Sequence, residues 1–197
     1  MLVKGLSKKE HMKTGVYFIL DLDRVLFDTE RLYESRRRQA EEAFFSFAED
    51  EGALEDLESL GVVSIFSEVT VNGSFELQRE KIRRLGLDIR IAEEHTHIGE
   101  KKILRFRELL KKYKGLVFLV DDKVEVLEEA RKIEQAEKLG SEVLTVWIQR
   151  GEHAKRALER GVTFVPNFKF SNLKDFVPVA KAIINTWRIP LAKESLK

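Results

Sequence analysis

The chain is predicted to fold as an α/β protein, a doubly wound, mainly parallel sheet of about five strands with helices on both faces. Three observations predict it. Continuous apolar runs at 16–20, 62–66, 116–120 and 143–148 read as strands buried on both faces. Segments with apolar residues at three-to-four spacing alternate with those runs, as helical crossovers between parallel strands require. Polar or acidic residues follow three of the runs, where open α/β sheets keep their ligand crevices.

Taken in order, the run at 16–20 opens the sheet. Residues 31–50 carry Leu32, Tyr33, Ala40, Ala43, Phe44 and Phe47 at helical spacing. A shorter helix at 54–60 stops at Gly61, and 62–66 is the second strand. Ser74 is placed to cap a helix over 75–85 that Gly86 ends. A short strand is expected at 88–92. The helix over 101–113 has Ile103, Leu104, Phe106, Leu109 and Leu110 for its apolar side. After the strand at 116–120 comes a helix over 124–139, stopped by Gly140. The strand at 143–148 is followed by a helix at 153–159, a short strand candidate at 163–165 and a closing helix at 176–187. This alternation is Rossmann-like and forms one domain over 1–197, with 1–14 and 188–197 as candidate disordered tails.

Composition narrows the function classes. At 197 residues the chain suits one domain, typical domains being roughly 100–200 residues long. Its 35 basic and 34 acidic residues leave a net charge of +1, which gives no electrostatic argument for a nucleic-acid or membrane partner. The absence of cysteine excludes disulfides and thiolate metal ligands and points to a reducing, cytoplasmic compartment. The first residues are basic and polar, unlike a signal peptide, and no apolar stretch approaches the roughly 18–20 residues of a membrane span.

The candidate site gathers at the strand ends. Asp21 and Asp23 stand one residue apart, and two acids so close call for a cation or a shared proton. Ser67 follows the second strand, and Asp121 and Asp122 follow the third. Lys101 and Lys102 open a helix, where cations oppose the helix dipole unless an anion such as phosphate holds them. Oxygen ligands of this kind suit Mg²⁺. Each residue also has a plainer role. Asp122 and Glu125 form a capping-box pattern, Ser67 could be a turn hydroxyl, and the lysines could be a solvated helix end. Ser64, inside its strand, reads as a packed hydroxyl, His95 and His97 as surface residues, and Trp147 and Trp187 as packing. Arg36, Arg37 and Arg38 read as a solvated helix face.

In this order the residues resemble the haloacid dehalogenase superfamily of phosphohydrolases. Asp21-Leu22-Asp23-Arg24-Val25-Leu26-Phe27-Asp28-Thr29-Glu30 is similar to that family's opening signature. The stretch from Gln78 to Leu87 resembles the helix after its second motif, and Val120-Asp121-Asp122 with Glu125, Ala130 and Arg131 resembles its fourth. The resemblance runs from about Val16 to Phe176 and implies a two-step phosphoryl transfer. It makes Asp21 the nucleophile that forms an aspartyl-phosphate, and Asp23 the acid that protonates the leaving oxygen and then the base that activates water. It gives Ser67 and one lysine, Lys101 ahead of Lys102, the phosphate oxygens. It places Mg²⁺ on the Asp21 carboxylate, the Asp23 backbone carbonyl and Asp122, with Asp121 beside them in the candidate set. Asp23 favours a phosphatase over a dehalogenase, since family dehalogenases generally lack that second aspartate. A receiver domain has its acid pair first and its phosphorylated aspartate later, an order that does not fit.

Two departures from the family pattern keep another class open. Arg24 stands where glycine is common, and Val126 where relatives often carry a polar side chain near the metal. They leave a non-catalytic phosphate- or phosphoprotein-binding protein as the alternative, with a nucleic-acid end-processing phosphatase disfavoured by the near-neutral charge. Ser67 follows Asp21 by 46 residues and Lys101 follows Ser67 by 34, so neither gap holds a large cap domain. A capless site lies open, so the substrate is either a phosphorylated macromolecule or a small phosphate ester enclosed by homo-oligomerisation.

Overall fold

A computed structural model describes residues 15–38, 46–69, 74–99, 101–137 and 140–187. The expected tails at 1–14 and 188–197 lie outside them, as do 39–45 and 138–139 of two expected helices.

Six parallel strands form one sheet. They are β1 (Gly15–Asp21), β2 (Val62–Glu68), β3 (Thr96–Gly99), β4 (Gly115–Asp121), β5 (Ser141–Ile148) and β6 (Phe168–Phe170), in the order β3-β2-β1-β4-β5-β6. The helices are α1 (Thr29–Arg38), α2 (Ala53–Leu60), α3 (Phe75–Arg84), α4 (Lys102–Lys112), α5 (Val124–Glu137), α6 (Gly151–Arg160) and α7 (Leu173–Trp187). One core packs α1, α2, α3 and α7 on one face of the sheet around Phe18, Leu20, Ile65, Phe118 and Phe176. A second packs α4, α5 and α6 on the other face around Ile19, Phe66, Val117, Leu119 and Trp147. With both faces covered, the central strands are apolar throughout, and β4 is buried along its whole length. The strand order reverses direction at β1 and β4, so their C-terminal ends flank the topological switch point where such sheets bind ligands.

Three expectations need correction. The strand expected at 88–92 is a turn, in which the Ile91 and Arg90 amides donate to the Leu87 carbonyl. Leu87 and Ile91 are buried four residues apart while Ile89 between them is 87% exposed, which is a helical-turn spacing rather than a strand alternation. The strand lies instead at Thr96–Gly99. The candidate at 163–165 is not a strand either, and Val165 is 76% exposed. Pro166 has no amide to donate, and the Asn167 side chain takes the Thr145 amide and hydroxyl, so pairing with β5 begins at Phe168. The helix expected over 31–50 begins at Thr29, where the Asp28 carboxylate accepts the Arg31 amide, and is described to Arg38. Residues 46–50 are not a continuation of it and contain only a short 3-10 turn at Ala48–Asp50. Elsewhere boundaries move by a few residues, and Ser74 caps α3 as expected by accepting the Leu77 amide at 3.0 Å.

Candidate active site

Asp21 is the last residue of β1, and β4 ends beside it in Asp121, followed by Asp122. All three carboxylates are buried, and one oxygen of each lies within 4.8 Å of the others. Lys102, the first residue of α4, reaches into this group. Its ammonium stands 2.5 Å from Asp21 Oδ1 and 2.9 Å from Asp121 Oδ2. The expectation that favoured Lys101 is therefore corrected: Lys101 is exposed at the helix N-cap, and Lys102 is 4% exposed. Helix phase decides between them. Lys102 lies one turn before Phe106 and two before Leu109, both buried, so its stem packs with the core and its ammonium meets the acids.

The acids are held unequally. Asp121 is engaged on both oxygens, by Lys102 and by the Lys123 amide at 2.8 Å. Asp122 has two buried oxygens with no hydrogen-bond partner, so it is not acting as the cap its spacing suggested. Its backbone carbonyl accepts the Trp147 indole N–H at 2.9 Å, which gives that buried ring a positioning task beyond packing. Burial, with Asp121 and Asp21 nearby, pushes the Asp122 carboxyl up to about 9. Burial also raises Asp21 to about 7 against the opposing pull of Lys102, and the same two acids keep the Lys102 ammonium firmly charged. Buried carboxylate oxygens that accept no hydrogen bond, grouped with those of Asp21 and Asp121, are a donor set that fits a cation.

Asp23 points elsewhere. Its carboxylate is outside the three-acid group and meets Thr29, Gln78 and Lys81. Burial alone would raise this carboxyl, but the Lys81 ammonium and the Thr29 hydroxyl outweigh it and hold Asp23 below the usual carboxylate range. Lys81 lies within the Gln78–Leu87 stretch noted in the sequence, but nothing there gave it a role in the site. The signal that finds it is phase, since Gln78, Lys81 and Ile82 are the buried positions of α3.

Arg24 occupies the turn that follows. Its φ of 64° is left-handed, a conformation that glycine takes freely and other residues seldom take. Its guanidinium donates to Glu30 at 2.5 Å and reaches 3.9 Å from Asp122 Oδ2. The stem lies over the start of α6, where a Cβ on Gly151 would stand 2.5 Å from Arg24 Cδ. Arg24 therefore fits because Gly151 makes room for it.

A cavity of about 210 Å³ opens over these groups, lined by Asp21, Asp23, Arg24, Lys81, Lys102 and Lys123 among others. Ser67, buried near the end of β2, has an uncommitted hydroxyl and lines an adjoining cavity of about 250 Å³ together with Lys101 and Lys102. His97 lines it too and is buried, contrary to expectation, with Nδ1 facing the Arg105 guanidinium. Ser64 bonds to Tyr113, away from the acids. A larger cavity of about 430 Å³ beside Phe47 and Leu54 gathers no comparable cluster, and its Asp50 is taken by Arg150 and the α7 amides. Among the described residues no helix is long and apolar enough to cross a membrane.

A scan of protein-family models and a search of curated proteins return no match. Among solved structures, the chain is similar to a protein of Burkholderia xenovorans LB400 that carries the provisional name haloacid dehalogenase-like hydrolase. The two share 18% identity and a TM-score of 0.70 over 87% of this chain and 98% of that one. The chain thus has the haloacid dehalogenase-like fold.

Proposed function

We propose that this protein is a Mg²⁺-dependent phosphomonoesterase that works through an aspartyl-phosphate on Asp21. The observation that carries the reading is Asp122, whose two buried oxygens accept no hydrogen bond and stand beside Asp21 at the switch point of the sheet. Those two carboxylates fit a hard divalent cation, with the Asp23 backbone carbonyl as the third protein ligand implied by the resemblance. Bound there, Mg²⁺ supplies charge neutralisation for the phosphoryl oxygens.

The side chains divide the remaining work. Lys102, fixed between Asp21 and Asp121, orients the nucleophile and presents a permanent positive charge to the phosphate. The Ser67 hydroxyl is free to donate to a phosphoryl oxygen. An Asp21 oxygen bonds to phosphorus as the bond to the leaving oxygen breaks, and Asp23 gives that oxygen a proton. Water then attacks phosphorus, Asp23 takes a proton from it, and inorganic phosphate leaves. Asp23 is held ionised in the free protein, so it gains its proton when the anionic phosphoryl group arrives and raises its proton affinity. A phosphorylated small molecule or macromolecule, in a reducing cytoplasm, is the substrate class consistent with an open, cysteine-free, near-neutral chain.

Hydrolysis of p-nitrophenyl phosphate, followed by a panel of phosphorylated metabolites, tests this reading. Turnover is expected with Mg²⁺ and is expected to vanish with EDTA. The Arg24 guanidinium beside Asp122 favours the alternative, a binding protein that uses a fixed cation in place of a metal. Phosphate binding that ignores Mg²⁺, with no turnover across the panel, would establish that alternative.

The acid cluster also sets a pH dependence. Asp122 and Asp21 hold protons in the folded state up to about pH 9 and 7, whereas the unfolded chain releases them near 3.8. Between those limits the native state binds more protons, so this cluster's contribution to stability falls as pH rises. Mg²⁺ must displace the same protons. The rise in melting temperature on adding Mg²⁺ is therefore expected to be small near about pH 5 and larger near about pH 8, as read by scanning calorimetry.

A further inference from the structure

The two oxygens of Asp23 are not equivalent. Three side chains from two helices converge on this carboxylate, Thr29 from α1 and Gln78 and Lys81 from α3. Gln78 and Lys81 are three residues apart on one helix face, and both are buried. Thr29 donates to Oδ1 at 2.5 Å, and the Lys81 ammonium lies against the same oxygen. Among the described residues, Oδ2 receives only the Gln78 amide, at 3.3 Å. The Lys81 side chain is 3% exposed, and its ammonium stands 5.5 Å from the Phe27 ring centroid. A lysine buried this deeply is held where it is by its anion.

We infer that Lys81 is a positioning residue for the proposed reaction, which occupies Oδ1 of Asp23 and leaves Oδ2 as the oxygen that exchanges protons. The inference rests on the phosphatase reading above. In the first half-reaction the Asp21–phosphorus bond forms, the bond to the leaving oxygen breaks, and the proton on Asp23 Oδ2 passes to that oxygen. In the second, a water oxygen bonds to phosphorus, the Asp21–phosphorus bond breaks, and a proton of that water returns to Oδ2. Without Lys81 the carboxylate can turn and present either oxygen, and proton transfer loses its fixed geometry.

The loss depends on the leaving group. A nitrophenolate departs without a proton, whereas an alkoxide needs one. The test compares p-nitrophenyl phosphate with glycerol phosphate for the wild type, Lys81→Met and Lys81→Arg, with a melting temperature for each. In Lys81→Met, kcat on glycerol phosphate is expected to fall about 100-fold or more, and on p-nitrophenyl phosphate by less than about tenfold, with KM unchanged. Lys81→Arg is expected to recover part of the glycerol phosphate rate. Should Lys81→Met not fold, Thr29→Val, which strips the other Oδ1 donor, must show the same leaving-group-selective loss. Equal losses on both substrates would make Lys81 a structural residue and overturn the inference alone. A wild type inactive on both substrates and on the phosphometabolite panel would overturn the phosphatase reading and this inference with it.

Discussion

Asp21→Asn is expected to lower turnover of any substrate by about 10⁴-fold or more, ~5.5 kcal/mol of transition-state stabilisation, while leaving the protein folded. The substitution keeps the shape of the side chain and removes the oxygen nucleophile. It also removes a negative charge from a crowded place. Asp21 is buried beside Asp121, Asp122 and Asp23, and its carboxyl is already pushed up to about 7 by burial first and by two of those neighbouring acids after it. Lys102 would keep Asp121 at 2.9 Å, so its ammonium would not be stranded. Loss of activity without loss of melting temperature is therefore the expected pair of results, measured by steady-state kinetics and thermal unfolding on the same preparation.

Lys102→Met is expected to do the opposite kind of damage. The ammonium is buried and sits between two acids, so its removal leaves three clustered carboxylates with no buried cation among them. Breaking a buried ion pair from one side costs about 3–5 kcal/mol, or roughly 10 °C of melting temperature for a chain of this length. The cost is expected in metal-free protein at neutral pH. It should shrink at acid pH, where the carboxylates take up protons, and on adding Mg²⁺, which supplies the missing charge. Lys101→Met, one residue earlier and exposed at the helix cap, should leave stability within about 0.5 kcal/mol of wild type.

Most of the sheet was legible in the sequence because its central strands are buried on both faces. β1, β2, β4 and β5 are continuous apolar runs, which need no periodicity to be seen. The edge strands were not found. β3 and β6 are short and hold His97 and Lys169, and each lies a few residues from a better-looking candidate. His95 and His97 had the alternation of a strand, but their polarity hid it. The acids of the site were legible because they follow those strands. The choice of Lys102 over Lys101, and the roles of Lys81 and Trp147, were not, for a common reason: each depends on helix phase or on a partner distant in sequence. Phe106, Leu109 and Leu110 in the helix that follows point back to Lys102 rather than Lys101, a phase visible in the sequence once the helix start is known. Trp147 reaches the Asp122 carbonyl from the neighbouring strand β5, a contact only the sheet order reveals. Arg24 was visible as an anomaly, yet its accommodation depends on Gly151, more than a hundred residues away.

The proposed reaction passes through a phosphoryl group on Asp21, which can be trapped. Protein turning over p-nitrophenyl phosphate or acetyl phosphate with Mg²⁺ is quenched in acid, which preserves acyl phosphates, then digested and mapped by mass spectrometry. One phosphoryl group is expected on the peptide that contains Asp21, absent when EDTA replaces Mg²⁺ and absent from Asp21→Asn. Steady turnover with an unmodified Asp21 peptide, or phosphoryl groups that persist in Asp21→Asn, would contradict the proposed reaction.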